Sequence, residues 1–261
     1  MDIIIFGGQS NMQGASEICP EDNTAISGAL EYRWLENSFV PLRHPVGENY
    51  GEKQDSLMAA AWGGSLVPFF CKSYIEECGR DVVAIHVARG NTTIGQWLPG
   101  TQKYFYGIQK MRAGIEEARK LGEIEHIYYV WLQGESDAVI SATEEEYTER
   151  LITYKNALIR DLGIEKFCII KVGYFCRISK WFEENIASSA EGKLRDEAIM
   201  RAQEKLPSVD CDFIMLFSDT PRISITDEYR NFNLPGHFNN AGYELIGKEA
   251  GKALAGLSNK S

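Results

Sequence analysis

Five short, strongly apolar runs constrain this 261-residue chain more than any other feature: Ile3 to Phe6, Val82 to Ala88, Ile127 to Leu132, Phe167 to Tyr174 and Phe213 to Phe217. Runs of this length and character read as buried strands. Helical patterns lie between them, with apolar residues spaced by three and four over Leu66 to Glu77, Ile108 to Leu121, Glu144 to Leu162 and Leu194 to Leu206. Ala241 to Leu257 closes the chain in the same way. Thr143, ahead of Glu144, Glu145 and Glu146, suits an N-cap with an acidic first turn that complements the helix dipole. Strands alternating with helices predict a mostly parallel five-stranded sheet, covered on both faces and joined by right-handed crossovers. The expected fold class is α/β, a three-layer α/β/α sandwich.

In such sheets ligands bind outside the carboxyl ends of the strands, near the point where strand order reverses. In the flavodoxin-like order 2-1-3-4-5 the first three strands are neighbours. Residues that follow them then meet on one edge although they are far apart in sequence. Ser10 follows the first run through Gly7-Gly8-Gln9, Gly90-Asn91 follows the second and Gln133-Gly134-Glu135 the third. Two glycines behind a buried strand allow a sharp turn, so that the Ser10 hydroxyl is held at the edge with its own N–H facing a cleft. The G-x-S-x-G elbow is not present, because Met12 stands where its second glycine would be.

A serine hydroxyl needs a base, a group that orients the base, and donors for the oxyanion. His237, in Gly236-His237-Phe238-Asn239-Asn240-Ala241-Gly242-Tyr243, is the candidate base. His44, His86 and His126 lack a comparable setting; His86 falls inside a strand. No H-x-x-H or H-E-x-x-H occurs, so no catalytic metal and no cofactor is expected.

Taken together, Gly-Gln-Ser-Asn-Met at 8–12, Trp-Leu-Gln-Gly-Glu at 131–135 and the late histidine pattern resemble the SGNH-hydrolase superfamily, in its sialate O-acetylesterase-like and acetylxylan-esterase-like branch. The resemblance spans most of the chain. It implies an acyl-enzyme on Ser10 and an oxyanion hole built from the N–H of Ser10, an N–H at Gly90 or Asn91, and the side-chain amide of Gln133. Gly90-Asn91-Thr92-Thr93-Ile94 with Trp97 is similar to the family's G-G-T-S-I-x-x-W block, with Asn91 in place of the second glycine. Many superfamily members carry Asp three residues before the histidine, where this chain has Leu234. The acetylxylan-esterase branch draws its acid from Q-G-E instead, which implies Glu135, with Asp219 and Asp137 in reserve and a dyad oriented by a backbone carbonyl as the alternative. Gln9, Trp34 and Trp97 are candidate substrate-binding residues, and Trp34, Trp62 and Trp97 offer aromatic faces that suit sugar rings.

The implied activity is removal of O-acetyl groups from a small carbohydrate or sialic-acid-like substrate. A same-fold esterase, thioesterase or lysophospholipase acting on longer acyl chains is the alternative. From a different class, Gly7 to Ser10 could cradle an anion at a helix N-terminus, although both phosphate-loop signatures are missing.

A net charge of −10 argues against nucleic acid or an anionic membrane as partner. With 44% hydrophobic residues and no low-complexity tract, one domain over 1–261 is expected. Met1 runs straight into the first strand with no leader pattern, and no apolar run is long enough for a bilayer, so a cytoplasmic location is expected. The six cysteines include no C-x-x-C pair, and buried thiols account for them. Leu30 to Trp34 and Phe39 to Leu42 suggest a small hairpin over the site.

Overall fold

The computed structural model of the protein describes residues 1–51 and 58–258. Among these residues seven strands form one sheet: β1 (Asp2–Gly8), β2 (Ala29–Arg33), β3 (Ser38–Pro41), β4 (Val82–Ala88), β5 (Ile127–Leu132), β6 (Lys166–Ile170) and β7 (Phe213–Phe217), in the order β3-β2-β4-β1-β5-β6-β7. The five runs read from the sequence are β4, β1, β5, β6 and β7, parallel throughout and in the expected 2-1-3-4-5 order. Two further strands, β2 and β3, take the sheet from the expected five strands to seven. The hairpin of β2 and β3 does not hang over the site but extends the sheet, with β2 parallel to β4 and β3 antiparallel to β2. β3 is the edge of the sheet and none of its residues is fully buried, while in β2, paired on both sides, Ala29, Glu31 and Tyr32 are buried.

Among the described residues, nine α-helices connect the strands: α1 (Ser10–Gln13), α2 (Leu66–Cys78), α3 (Gln102–Leu121), α4 (Glu135–Val139), α5 (Glu144–Leu162), α6 (Lys180–Asn185), α7 (Ser189–Val209), α8 (Thr220–Ser224) and α9 (Asn240–Ser258). α2 packs against α9, and α5 against α3 and α7. Alternation along the central strands assigns the two groups to opposite faces. Phe6 meets Phe70 of α2 edge-on at 5.2 Å, whereas Ile85, level with Ile5, lies against Gly114 of α3. Caps set the helix starts: the Thr143 hydroxyl accepts from Glu146 N at 3.1 Å, and Ser188 and Thr101 do the same for α7 and α3. Those two helices therefore begin about a turn or more before their first periodic apolar residue.

The predicted fourth strand is shorter than expected. Lys171 N still donates to Phe217 O of β7, and beyond it side chains replace the sheet as partners, Val172 N donating to Gln203 Oε1 and Tyr174 N to Ser224 Oγ. Cys71, Cys168 and Cys176 are buried as expected, whereas Cys211 is exposed. No helix among the described residues is long and apolar enough to cross a membrane.

Candidate active site

β1 is central and buried along its whole length, and its last residue sets the position of everything that follows. Gly8 has φ 147°, and a Cβ there would sit 2.1 Å from the Leu132 carbonyl oxygen of β5. Only glycine lets the backbone pass so close to β5 before turning into α1. Ser10 is the first residue of that helix, at the carboxyl edge of β1, the strand from which the order runs outward to β4 on one side and β5 on the other.

His237 reaches this point from the other end of the chain, on the loop that leads into α9. Its Nε2 lies 2.7 Å from Ser10 Oγ. Its Nδ1 lies 3.3 Å from the Leu234 carbonyl, which also accepts the His237 backbone N–H at 3.1 Å. A carbonyl can only accept, so Nδ1 carries the proton and Nε2 presents its lone pair to the serine hydroxyl. The ring is 8% exposed, and Phe175 stands edge-on to it at 5.9 Å. Burial pulls the His237 pKa down to about 4, against the opposing effect of the Leu234 and Pro235 carbonyls. The imidazole is thus a neutral acceptor at physiological pH. Gly236, with φ 89° and Phe175 Cδ2 2.3 Å from where its Cβ would be, has to be glycine for the loop to lie against that ring.

Glu135 is placed differently from the expectation that it orients His237. It opens α4, and its Oε1 accepts from Asn11 Nδ2 at 2.8 Å rather than from the imidazole. It is 2% exposed, Oε2 has no partner, and burial pushes its pKa up to about 7. Asp137 is also buried and accepts from Gln133 Nε2 and the Ile94 N–H at 2.6 and 2.9 Å, so it anchors the 3₁₀ turn Ile94–Trp97. Asp219 lies at the surface, paired with Arg222.

Two of the expected oxyanion donors are already committed. The Gly90 N–H donates to Gln13 Oε1 at 2.9 Å. The Gln133 amide is fully buried, and its two hydrogens are shared among Thr92 O at 2.7 Å, Asp137 Oδ2 at 2.6 Å and Gln9 Oε1 at 3.2 Å. Its own oxygen faces the Tyr147 hydroxyl. An amide so engaged has no donor left for a substrate. Among the described residues, no acceptor is paired with the backbone N–H of Ser10 or of Asn91. Asn91 has φ 58°, and a Cβ at its neighbour Gly90 would lie 3.3 Å from Ser10 Cβ, so this segment runs against the serine.

The substrate-binding candidates separate in the same way. Trp97 is core, 1% exposed, T-shaped on Trp131 at 5.8 Å with its Nε1 donating to Thr92 Oγ1. Trp34 packs on Tyr50 and Tyr106 beside the β2–β3 turn. Gln9 is buried, and its oxygen accepts from the Ser136 N–H at 3.2 Å. Trp62 is 63% exposed, and its backbone N–H bonds to the Gly14 carbonyl, one residue beyond α1. Asn11 and Gln13, which tie α1 to its surroundings, are residues that sequence reasoning gives no role; the signal for Asn11 is its place in the Gly-Gln-Ser-Asn-Met motif, and for Gln13 its position near Ser10.

A family described as carbohydrate esterase, sialic acid-specific acetylesterase, matches residues 1–211. The chain belongs to this acetylesterase family. The match takes in Ser10, Gly90-Asn91 and Gln133 to Glu135 and ends before the loop that carries His237. No curated protein sequence matches. Among solved structures, a protein from Arabidopsis thaliana superposes with a TM-score of 0.68 at 18% identity, over 99% of this chain and 98% of its own. A lipase/acylhydrolase from Enterococcus faecalis gives 0.54 at 14%, over 98% and 97%. A carbohydrate acetylesterase from Xanthomonas citri gives 0.54 at 11%, over all of this chain and 57% of that one. At such identities the likeness concerns the fold, and the fold of this acetylesterase-family chain is that of the SGNH hydrolases.

Proposed function

We propose that the protein is a serine esterase that removes O-acetyl groups from a carbohydrate or sialic-acid-like substrate, through an acetyl-enzyme formed on Ser10. The observation that carries the reading is the 2.7 Å contact between Ser10 Oγ and a His237 Nε2 whose lone pair is fixed in place by the proton on Nδ1. In the proposed cycle His237 takes the hydroxyl proton as Oγ attacks the acetyl carbonyl. The oxyanion is met by the N–H groups of Ser10 and Asn91. His237 then gives its proton to the departing sugar oxygen, leaving acetyl-Ser10. Water, deprotonated by the same nitrogen, releases acetate and returns the proton to Ser10. The imidazolium formed on the way is stabilised by the carbonyls of Leu234 and Pro235 rather than by a carboxylate, which makes the catalytic pair a dyad. No step calls for a metal.

Family membership supports the acetyl group, and the exposed indole of Trp62 beside α1 supports a sugar ring. The anion-cradle alternative finds little support, because α1 has four residues and the Ser10 hydroxyl is engaged with His237. A p-nitrophenyl ester series from acetate to decanoate, run alongside Ser10→Ala, tests the proposal. Acetate should be the fastest, with steep loss beyond butyrate, and folded Ser10→Ala should be inactive. A site with room for a chain would gain about 0.8 kcal/mol per methylene, so a maximum at octanoate would favour the long-chain alternative. Wild-type turnover by Ser10→Ala would remove the mechanism.

A further inference from the structure

We propose that Asn11 and Glu135 are positioning residues: together they hold the histidine loop against Ser10, and the Glu135 carboxylate acts on His237 only through the Asn11 amide and the Gly236 peptide. The inference rests on the Ser10–His237 reading and concerns how that pair is kept in register. Asn11 Nδ2 donates to Glu135 Oε1 at 2.8 Å and to the Gly236 carbonyl at 3.0 Å. Gly236 O can only accept, so the nitrogen must face it and the amide orientation is fixed. Asn11 Oδ1 accepts from the Tyr243 hydroxyl at 3.1 Å, and that hydroxyl in turn accepts the Ala15 N–H at 3.0 Å. One side chain, 2% exposed, therefore joins the serine helix, the turn after β5, the peptide preceding the base, and the first turns of α9.

The arrangement is costly for a purely structural contact. Glu135 is removed from water with a single protein donor on one oxygen and none on the other. Burying an ionisable group so sparsely paired disfavours folding, which points to a use for its position beyond packing. Both of Asn11's amide hydrogens are used, and one of them reaches the carbonyl immediately before His237. Removing Asn11 frees Gly236 O and releases that peptide, and a displacement of the base by about 1 Å is enough to lose on the order of 10²-fold in rate. A carboxylate contacting the imidazole would act by its charge. A carboxylate acting through Asn11 needs only an acceptor oxygen.

That difference sets the test, which follows kcat and KM on an acetyl ester together with the rate of Ser10 labelling by a fluorophosphonate, mapped to its peptide. Asn11→Ala should lower kcat by about 10²-fold with KM changed by less than about threefold, and slow the labelling in parallel. Glu135→Ala should fall similarly, and the double variant should be no worse than either alone, because both residues act as one unit. Glu135→Gln keeps an oxygen for Asn11 and should rescue kcat. Wild-type kcat in Asn11→Ala, or Glu135→Gln as slow as Glu135→Ala, overturns the proposal, the second outcome meaning that the charge itself acts. If Asn11→Ala fails to fold, Asn11→Ser, which retains one donor for two acceptors, should give an intermediate kcat, and an unchanged kcat there overturns the proposal equally. Absence of label on wild-type Ser10 would instead remove the serine mechanism, which separates that failure from this one.

Discussion

The proposed dyad makes a prediction about acid pH that a conventional triad would not. His237 is buried with no carboxylate on Nδ1, and its pKa is drawn down to about 4, below the ordinary 6.5. At pH 5.5 a base with a pKa near 4 is about 97% neutral, whereas one at 6.5 is about 9% neutral, so the two differ roughly tenfold in competent enzyme. kcat/KM should therefore stay nearly level from pH 8 down to about pH 5. The perturbation that isolates the histidine is Leu234→Asp. The Leu234 carbonyl already lies 3.3 Å from Nδ1, and the residue is only half-buried, so a carboxylate there is tolerated close to the ring. An opposite charge at about 4–6 Å favours the protonated form by about 1–3 pKa units, which moves the acid limb into the range 5–7 and costs activity at pH 5.5. Both proteins should be measured in the Glu135→Gln background, which removes a site carboxyl that titrates at about 7. Acetate release should be followed discontinuously, so that the leaving group's own ionisation does not enter. An acid limb near 6.5 without the Leu234 change, or a limb that Leu234→Asp fails to move, would refute the account of His237 as a base kept neutral by burial.

Two further outcomes follow from the buried polar groups around the site. Glu135 and Asp137 are raised by burial to about 7 and about 6, from ordinary values of 4.5 and 3.8, a difference of about 2 units or more that corresponds to roughly 3 kcal/mol each. A raised carboxyl contributes stability that is fully present below its unfolded pKa and is lost as pH rises through the folded one. His237, His44 and His86, whose pKa values burial lowers, act in the opposite direction, so the test is a difference: on going from pH 5 to pH 8 the Tm of Glu135→Gln should change more favourably than that of the wild type, and the same change in both would contradict the assignment. Gln133→Ala removes the donors to Thr92 O, Asp137 and Gln9 and should cost about 3 kcal/mol, or roughly 6–12 °C in Tm, by calorimetry. A selective loss of kcat at unchanged Tm would return Gln133 to the oxyanion hole.

The fold was legible because its strands are buried on both faces and so read as continuous apolar runs. Ile3 to Phe6 and Ile127 to Leu132 could be placed without reference to partners. β2 and β3 gave a weaker signal, since both are short, β2 carries the polar Glu31 and Arg33, and its place in the sheet depends on pairing with β4, some 50 residues on. The same distance effect shortened the fourth strand, whose end is decided by Gln203 and Ser224 on other elements. α1, α4 and α8 are too short to show a period, and α1 and α4 are the two that carry Ser10 and Glu135.

For the site, motif letters identified which side chains gather but not the atoms they present to one another. Gln133 and Gly90 stand where donors were expected, yet their hydrogens are taken by Asp137, Thr92 and Gln13, partners fixed only by tertiary packing. Leu234 is the sharper case. Read as a side chain it cannot orient an imidazole, which directed attention to Glu135 as the nearest motif acid. The group that faces Nδ1 is the main-chain carbonyl of that same residue, and any amino acid at 234 supplies a carbonyl. Orientation by a carbonyl fixes the tautomer as a carboxylate would, but without a full charge to stabilise the imidazolium. The serine–histidine geometry can therefore persist while position 234 varies, with the loop held by Asn11 on Gly236 and by the turn that returns the His237 N–H to Leu234 O. What varies with that position is the acidity of the imidazolium, and so the pH range over which the base is competent.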